Sequence, residues 1–209
     1  MDKLDLKKEY KQLYNPSAKH ITLVSVPRFN FIMIDGEVPP NIKVDDAPEY
    51  IAAVEALFSL SYTLKFMCKK RKVDPIDYAV MPLEGLWWSA SSSKEFTPSR
   101  ANTWHFTMMI LQPPVVTKTL FAEGVEAVRA KKAPAVLDAA RFESFEESKA
   151  VQTLHLGPYS EEPATIARMV AFSDEQGLKP NGKHHEIYLS DPRRTAQAKL
   201  KTILRHPVK

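Results

Sequence analysis

Glu186 and Tyr188 lie two residues apart in His184–Leu189, a segment with the composition of a strand. Side chains two apart on a strand emerge from one face. A carboxylate beside a phenol can orient or deprotonate a water, or hold a cation. Aromatic and apolar segments flank this strand, and a Glu enclosed by aromatic surface is partly desolvated, which raises its pKa and suits such roles. The competing reading is a carboxylate on the wet face of an antiparallel sheet, and the residues alone leave both open. His184-His185-Glu186 resembles a metal cluster, but strand alternation puts His184 and Glu186 on one side and His185 on the other. Two ligands are too few, so no metal site is expected, and the imidazoles read as a solvated strand end.

A second group of residues is aromatic. All three tryptophans, Trp87, Trp88 and Trp104, fall between positions 87 and 104, with Tyr78 and Met81 nearby. Trp104, Phe106, Met108 and Ile110 alternate with His105, Thr107, Met109 and Leu111 across the two faces of one strand. Core packing accounts for most of them. An aromatic-lined cleft for a large planar ligand is the alternative. Lys69–Lys72 reads as a solvated helix C-terminus, where cations suit the dipole, rather than as a phosphate contact.

These residues need elements to position them. Residues 1–19 form a polar helical arm. Ile21–Val26 and Phe31–Ile34 read as one strand kinked or edge-placed at Pro27. A helix runs from Pro48, with Ile51, Val54, Leu57 and Phe58 on one stripe; Lys69–Lys72 and Pro75 close it. Tyr78–Trp88 and Thr103–Leu111 are strands joined by the Ser/Thr/Pro-rich loop Ser89–Arg100. Residues 117–145 read as helical, broken at Ala133-Pro134. The first pattern then returns: a strand at Ala150–Leu156, a helix after Ser160 as a candidate N-cap with Gly177 as its stop, and strands at His184–Leu189 and Leu200–Arg205. The predicted fold is therefore α+β, one domain of duplicated β-α-β-β halves (20–112 and 150–209), with a central helical connector (113–149).

Composition narrows the function. The 209 residues are 44% hydrophobic and 26% charged, an ordinary globular balance. The net charge of +4 is too mild to imply nucleic acid. The single cysteine, Cys68, excludes a disulfide framework and a thiolate zinc cage. No G-x-x-x-x-G-K-[ST], G-x-G-x-x-G, G-x-S-x-G or H-E-x-x-H occurs, which disfavours P-loop kinases, Rossmann dehydrogenases, serine hydrolases and zincins. No signal-peptide pattern opens the chain and no apolar stretch approaches ~20 residues, so a cytoplasmic protein without membrane contact is expected.

Several stretches resemble the GyrI-like small-molecule-binding domain family. They are Tyr62-Thr63-Leu64-Lys65-Phe66, Pro82-Leu83-Glu84-Gly85-Leu86-Trp87-Trp88, Leu111-Gln112-Pro113, Leu156-Gly157-Pro158-Tyr159 and His184 through Arg194. Together they are similar to a stand-alone subfamily that resembles cyclopropanoid cyclopropyl hydrolases. The resemblance implies an aromatic-lined ligand cleft between the two halves, with Glu186 near its floor and Trp88 as a cage wall; Tyr188, Trp104, Phe106 and Tyr159 follow from strand phase and motif position. It implies a cofactor-independent enzyme that detoxifies xenobiotics by adding water to the cyclopropane of DNA-alkylating natural products of the yatakemycin type. In that chemistry water attacks the strained methylene, the dienone becomes a phenol, and Glu186 and Tyr188 are the catalytic candidates. The alternative it implies is a binding module that sequesters planar lipophilic or cationic drugs without turnover. Residues 1–19 are too few for a helix-turn-helix, so direct nucleic-acid binding is not expected, and the oligomeric state is left open.

Overall fold

The computed structural model describes residues 3–89, 102–132 and 134–209. The expected loop Ser89–Arg100 lies outside them beyond Ser89, as does Ala133 at the expected helix break. Two short helices, α1 (Leu6–Glu9) and α2 (Lys11–Tyr14), form the arm. Then follow β1 (Thr22–Val26), β2 (Phe29–Val38), α3 (Pro48–Lys69), β3 (Leu83–Ser89), β4 (Trp104–Gln112) and α4 (Lys118–Lys131). The chain continues through β5 (Arg141–Phe145), β6 (Ser148–Leu156), α5 (Glu162–Glu175), β7 (His184–Tyr188) and β8 (Lys201–Pro207). The eight strands form one sheet in the order β1-β6-β8-β7-β3-β4-β2-β5, every neighbour antiparallel.

The duplicated β-α-β-β plan is present as β2-α3-β3-β4 and β6-α5-β7-β8, with β3 and β7 meeting at the centre. The edges differ from expectation. Ile21–Val26 and Phe31–Ile34 are not one kinked strand: β1 and β2 separate at Pro27-Arg28, β1 forming one edge of the sheet and β2 lying second from the other. Residues 141–145, expected within the helical connector, form β5 instead. Phe142 stacks on Phe121 of α4 at 5.8 Å and Phe145 meets Phe31 edge-on at 6.3 Å, so the two faces of β5 are both anchored. Each half thus lends a strand to the other: β1 leads into β2 but pairs with β6, and β5 leads into β6 but pairs with β2.

Helix α3 starts with Pro48 in its first turn, where the missing N–H costs nothing. Ala53, Leu57, Leu60 and Leu64 are completely buried, the i, i+3, i+4 stripe of a helix laid on a sheet. Gly124 of α4 lets the two helices close, since a Cβ there would lie 2.7 Å from Leu64 Cδ2. Contrary to the expectation of no such stretch, α3 is long and apolar enough to cross a membrane by length and composition; that apolarity serves its packing on β2 and β4. Helix α5 starts after a 3-10 turn at Tyr159–Glu161, with no side-chain cap from Ser160. Gly177 follows its end at φ 66°, a left-handed stop.

The helices and the arm cover opposite faces. On the arm's side, His185 bridges Glu84 at 3.0 Å and Glu147 at 3.1 Å. Tyr14 donates to Glu84, and Arg205 donates to Glu147 and to the carbonyl of Leu13. These charges are buried but fully paired, the condition for tolerating them inside a protein.

Candidate functional site

Sheet register builds the site. Glu186 of β7 stands opposite Gly85 of β3, Tyr188 opposite Leu83 and His184 opposite Trp87. On β4, Phe106 is paired with Trp87 and Trp104 with Ser89. All these side chains therefore share the face that carries α3 and α5. Between the helices lies a cavity of about 520 Å³, lined by Tyr50, Trp87, Trp104, Tyr159, Glu162, Glu186 and Tyr188 among others. A second cavity of about 960 Å³ shares Asp45, Tyr50, Tyr159 and Tyr188 with it and continues along α3 past Val54, Phe58 and Tyr62.

Its floor is a hydrogen-bonded chain. Trp87 Nε1 donates to the Tyr188 hydroxyl at 2.9 Å, and that hydroxyl donates to Glu186 Oε2 at 2.6 Å. Glu186 Oε1 lies 3.0 Å from His184 Nε2, and His184 Nδ1 lies 2.6 Å from His206 Nε2. Gly85 makes room for this chain: a Cβ there would run into the Met108 methyl and lie 2.8 Å from Trp87 Nε1 and 3.2 Å from the Tyr188 hydroxyl. His184 and His185 are buried, not solvated as their sequence position suggested. They point to opposite faces, as strand alternation required. Among the described residues no three His, Cys, Asp or Glu converge as metal ligands.

Burial, followed by the charge of Glu186, holds the Tyr188 hydroxyl well above its usual pKa. Burial also raises the hydroxyls of Tyr50 and Tyr159. All three are neutral donors at neutral pH. Glu162, at the start of α5, is pushed up to about 10 by burial and then by Glu186. Burial, with His184 adding to it, pulls His206 down to about 3, so its ring is uncharged.

Of the residues singled out from sequence, Glu186, Tyr188, Trp104 and Tyr159 line the one cavity. Phe106 does not: it is fully buried behind the wall, where Tyr50 and Trp87 pack on it at 6.0 and 5.7 Å. Trp88 is on the opposite face, stacked on His105 at 5.7 Å with Lys183 Nζ 3.2 Å from its ring centre. Trp87 takes the wall position instead, with Tyr50 stacked on it at 6.2 Å. The resemblance named Trp88 for this position; only the β3–β7 register shows that its neighbour Trp87 is the one sharing a face with Glu186. Tyr50 and Glu162 were missed because each sits in a first helical turn, where an aromatic reads as packing and an acid as a dipole partner.

A family model for the GyrI-like small-molecule-binding domain matches residues 19–209. The chain belongs to the GyrI-like family. Among solved structures, this GyrI-like chain is similar to an uncharacterised conserved protein from Listeria innocua, with 39% identity and a TM-score of 0.87 over 99% of this chain and all of the other. A hydrolase from Listeria innocua has 38% identity and a TM-score of 0.83, covering 99% of this chain and 100% of its own. A second hydrolase of that organism has 37% identity and a TM-score of 0.85 over the whole of both chains. Among curated proteins no match is found. The family gives this domain a small-molecule ligand, and its cavity, a carboxylate floor under aromatic walls, can hold a flat molecule against a water-activating group.

Proposed function

We propose that this protein is a hydrolase that adds water to a strained, electrophilic carbon of a planar xenobiotic, with spirocyclopropyl dienones of the yatakemycin type as its substrate class. The observation that carries the reading is the Glu186 carboxylate, 8% exposed, at the end of a Trp87–Tyr188–Glu186 hydrogen-bonded chain under an aromatic wall. The hydrolase relatives, similar over almost the entire chain, support it.

Tyr50, Trp87, Trp104 and Tyr159 sandwich the polycycle. Glu186 takes a proton from a water aimed at the ring methylene. The new C–O bond forms as the cyclopropane C–C bond breaks, and that electron pair moves into the dienone, whose oxygen becomes a phenol on protonation. Tyr188 fixes the carboxylate: one Glu186 oxygen accepts from the phenol, one from His184, and the remaining lone pairs serve the water. Holding water and carbon together is where much of the acceleration comes from.

Glu186→Gln keeps the size and removes the base. Turnover, followed as hydrated product by mass spectrometry, is expected to fall by about 10²–10⁴-fold, with neutral-ligand affinity nearly unchanged. Wild-type protein that binds substrate at one equivalent without releasing hydrated product would make the cleft a sequestering module, and full turnover by Glu186→Gln would remove the carboxylate from the reaction.

A further inference from the structure

Hydrolysis as proposed uses Glu186 and leaves Glu162 without a task. Glu162 is 5% exposed, its Oε1 receives no hydrogen bond, and it lines the same cavity as Glu186, whose charge acts on it. Two buried carboxyl groups that share one site resist ionising together. One proton held between them supplies the missing donor and leaves the pair with a single negative charge. The other groups facing the pair are His184 and Tyr188 from β7, Thr202 and, behind His184, His206 from β8, Tyr50 from α3, and Tyr159 from the turn before α5. Lys43 and Asp45 line the cavity from the exposed segment ahead of α3. The tyrosine hydroxyls and His206 stay neutral for the reasons given above, and the unpartnered Glu162 Oε1 marks the carboxyl pair as the place for an exchangeable proton.

We propose that Glu162 sets the cleft's choice between neutral and cationic ligands by proton exchange: the pair keeps its proton beside a neutral planar ligand and releases it to solvent when a flat aromatic monocation binds. The inference rests on the cavity being the ligand site and not on turnover. The aromatic faces of Trp87, Trp104 and Tyr50 attract a cation, but a desolvated cation also needs a counter-charge, and deprotonation doubles the one present. A monocation about 4 Å from the pair, at an effective dielectric of about 20, weakens the pair's hold on its proton about a thousandfold. The proton that Glu162 holds up to about pH 10 in the empty cleft is then released from about pH 7 upward. Because binding expels a proton, cation affinity rises with pH across that window, by at most about tenfold per pH unit, and is flat on either side.

Titration calorimetry with N-methylquinolinium and with quinoline, in two buffers of different ionisation enthalpy near pH ~8, counts the protons. The expected result is close to one proton released per N-methylquinolinium and none per quinoline, with cation affinity climbing between about pH 7 and 9 while quinoline affinity stays level. Glu162→Gln, which keeps size and a donor, is expected to abolish both the release and the slope. Cation binding by the wild type without proton release overturns the proposal, and this readout stands even if the variant fails to fold. Proton release that persists in Glu162→Gln also overturns it and assigns the proton to a group outside the carboxyl pair. Failure of both probes to bind removes the ligand-site reading and this proposal with it, whereas loss of the hydrolytic reading alone leaves the proton count unaffected.

Discussion

Replacing Tyr188 with Phe keeps the ring and deletes one oxygen that makes two hydrogen bonds. The bond to Glu186, at 2.6 Å, lies in the range of short charge-assisted O–H···O⁻ contacts and is worth about 1.5–3 kcal/mol. The bond from Trp87, at 2.9 Å, satisfies an indole N–H on a residue only 5% exposed; orphaning that donor costs about 1–3 kcal/mol. Because both bonds end on one oxygen, their losses do not add, and a net loss of about 2–3 kcal/mol is expected. For a chain of this size each kcal/mol moves Tm by about 2–4 °C, so Tyr188→Phe is expected to melt about 4–12 °C lower. The catalytic effect is separate. Without the phenol the Glu186 carboxylate is held from one side only, and misplacing a reacting group by a fraction of an ångström lowers kcat by about 10–100-fold with KM little changed. Steady-state kinetics on a spirocyclopropyl dienone, combined with thermal melts of Trp87→Phe, Tyr188→Phe and the double variant, tests both parts. Trp87→Phe leaves the Tyr188–Glu186 bond intact, so the cycle is expected to show a coupling of about 0.5–3 kcal/mol. Additive melts together with an unchanged kcat in Tyr188→Phe would refute the chain as a working unit.

Trp87→Ala is expected to weaken binding of a planar aromatic ligand about tenfold or more in a fluorescence titration, since a buried aromatic contact is worth about 1–3 kcal/mol. Trp88→Ala, on the other face, is expected to leave that affinity unchanged; equal losses would put the wall assignment in error. Gly85→Ala is expected to cost about 1–3 kcal/mol by overpacking and to lower turnover, because the Met108 methyl can shift but Trp87 and Tyr188 must separate; full activity in this variant would show that the close approach is dispensable. On the arm's face, Glu147 and Glu84 raise His185 to about 9 against the opposing effect of burial. A folded pKa above the unfolded ~6.5 gives stability that is complete below pH ~6.5 and is lost as pH rises to about 9. Glu147, lowered to about 2 by His185 and Arg205 against its burial, gives the mirror case, with stability complete above pH ~4.3 and lost toward pH 2. Urea melts across pH are expected to show both limbs, and His185→Gln is expected to flatten the alkaline one.

The elements and their duplication were legible because periodicity reports which residues share a face within one segment. α5 and the central strands follow from it, and so does α3 as an element, though its core stripe is Ala53, Leu57, Leu60 and Leu64 while Ile51 of the expected stripe is 50% exposed. Pairing between segments is another matter. The stretch through Pro27 looks like one interrupted strand because β1 and β2 have similar β-branched composition, and nothing local to it encodes that β1 will pair with β6. Residues 141–145 read as helix because Arg, Glu and Ser are neutral about structure, and only the contacts of Phe142 and Phe145 make a strand of them. The site shows the same division. Glu186 and Tyr188 were found together because they share a strand, and Trp104 by its phase. Choosing Trp87 over Trp88 requires knowing that Gly85 stands opposite Glu186, and seeing Glu162 as a partner of Glu186 requires knowing where α5 lands.

The strand register explains why a duplicated fold can build so asymmetric a site. β3 and β7 pair antiparallel with Gly85 opposite Glu186, and the residues two further along each strand are Trp87 and Tyr188. A twofold relation between the halves that passes through the Gly85–Glu186 pair exchanges Trp87 with Tyr188, and on the next strands Phe106 with Thr202. One half therefore contributes apolar rings at the positions where the other contributes polar groups. The glycine completes this division: any side chain at position 85 would occupy the space in which the indole of one half donates to the phenol of the other. The carboxylate can then lie under an aromatic roof and still have its oxygens hydrogen-bonded from its own strand, so it is desolvated by one half and oriented by the other. Neither half alone supplies both conditions, and the two edge strands, each lent by the half across the sheet, bind the halves into the single body that a cleft between them requires.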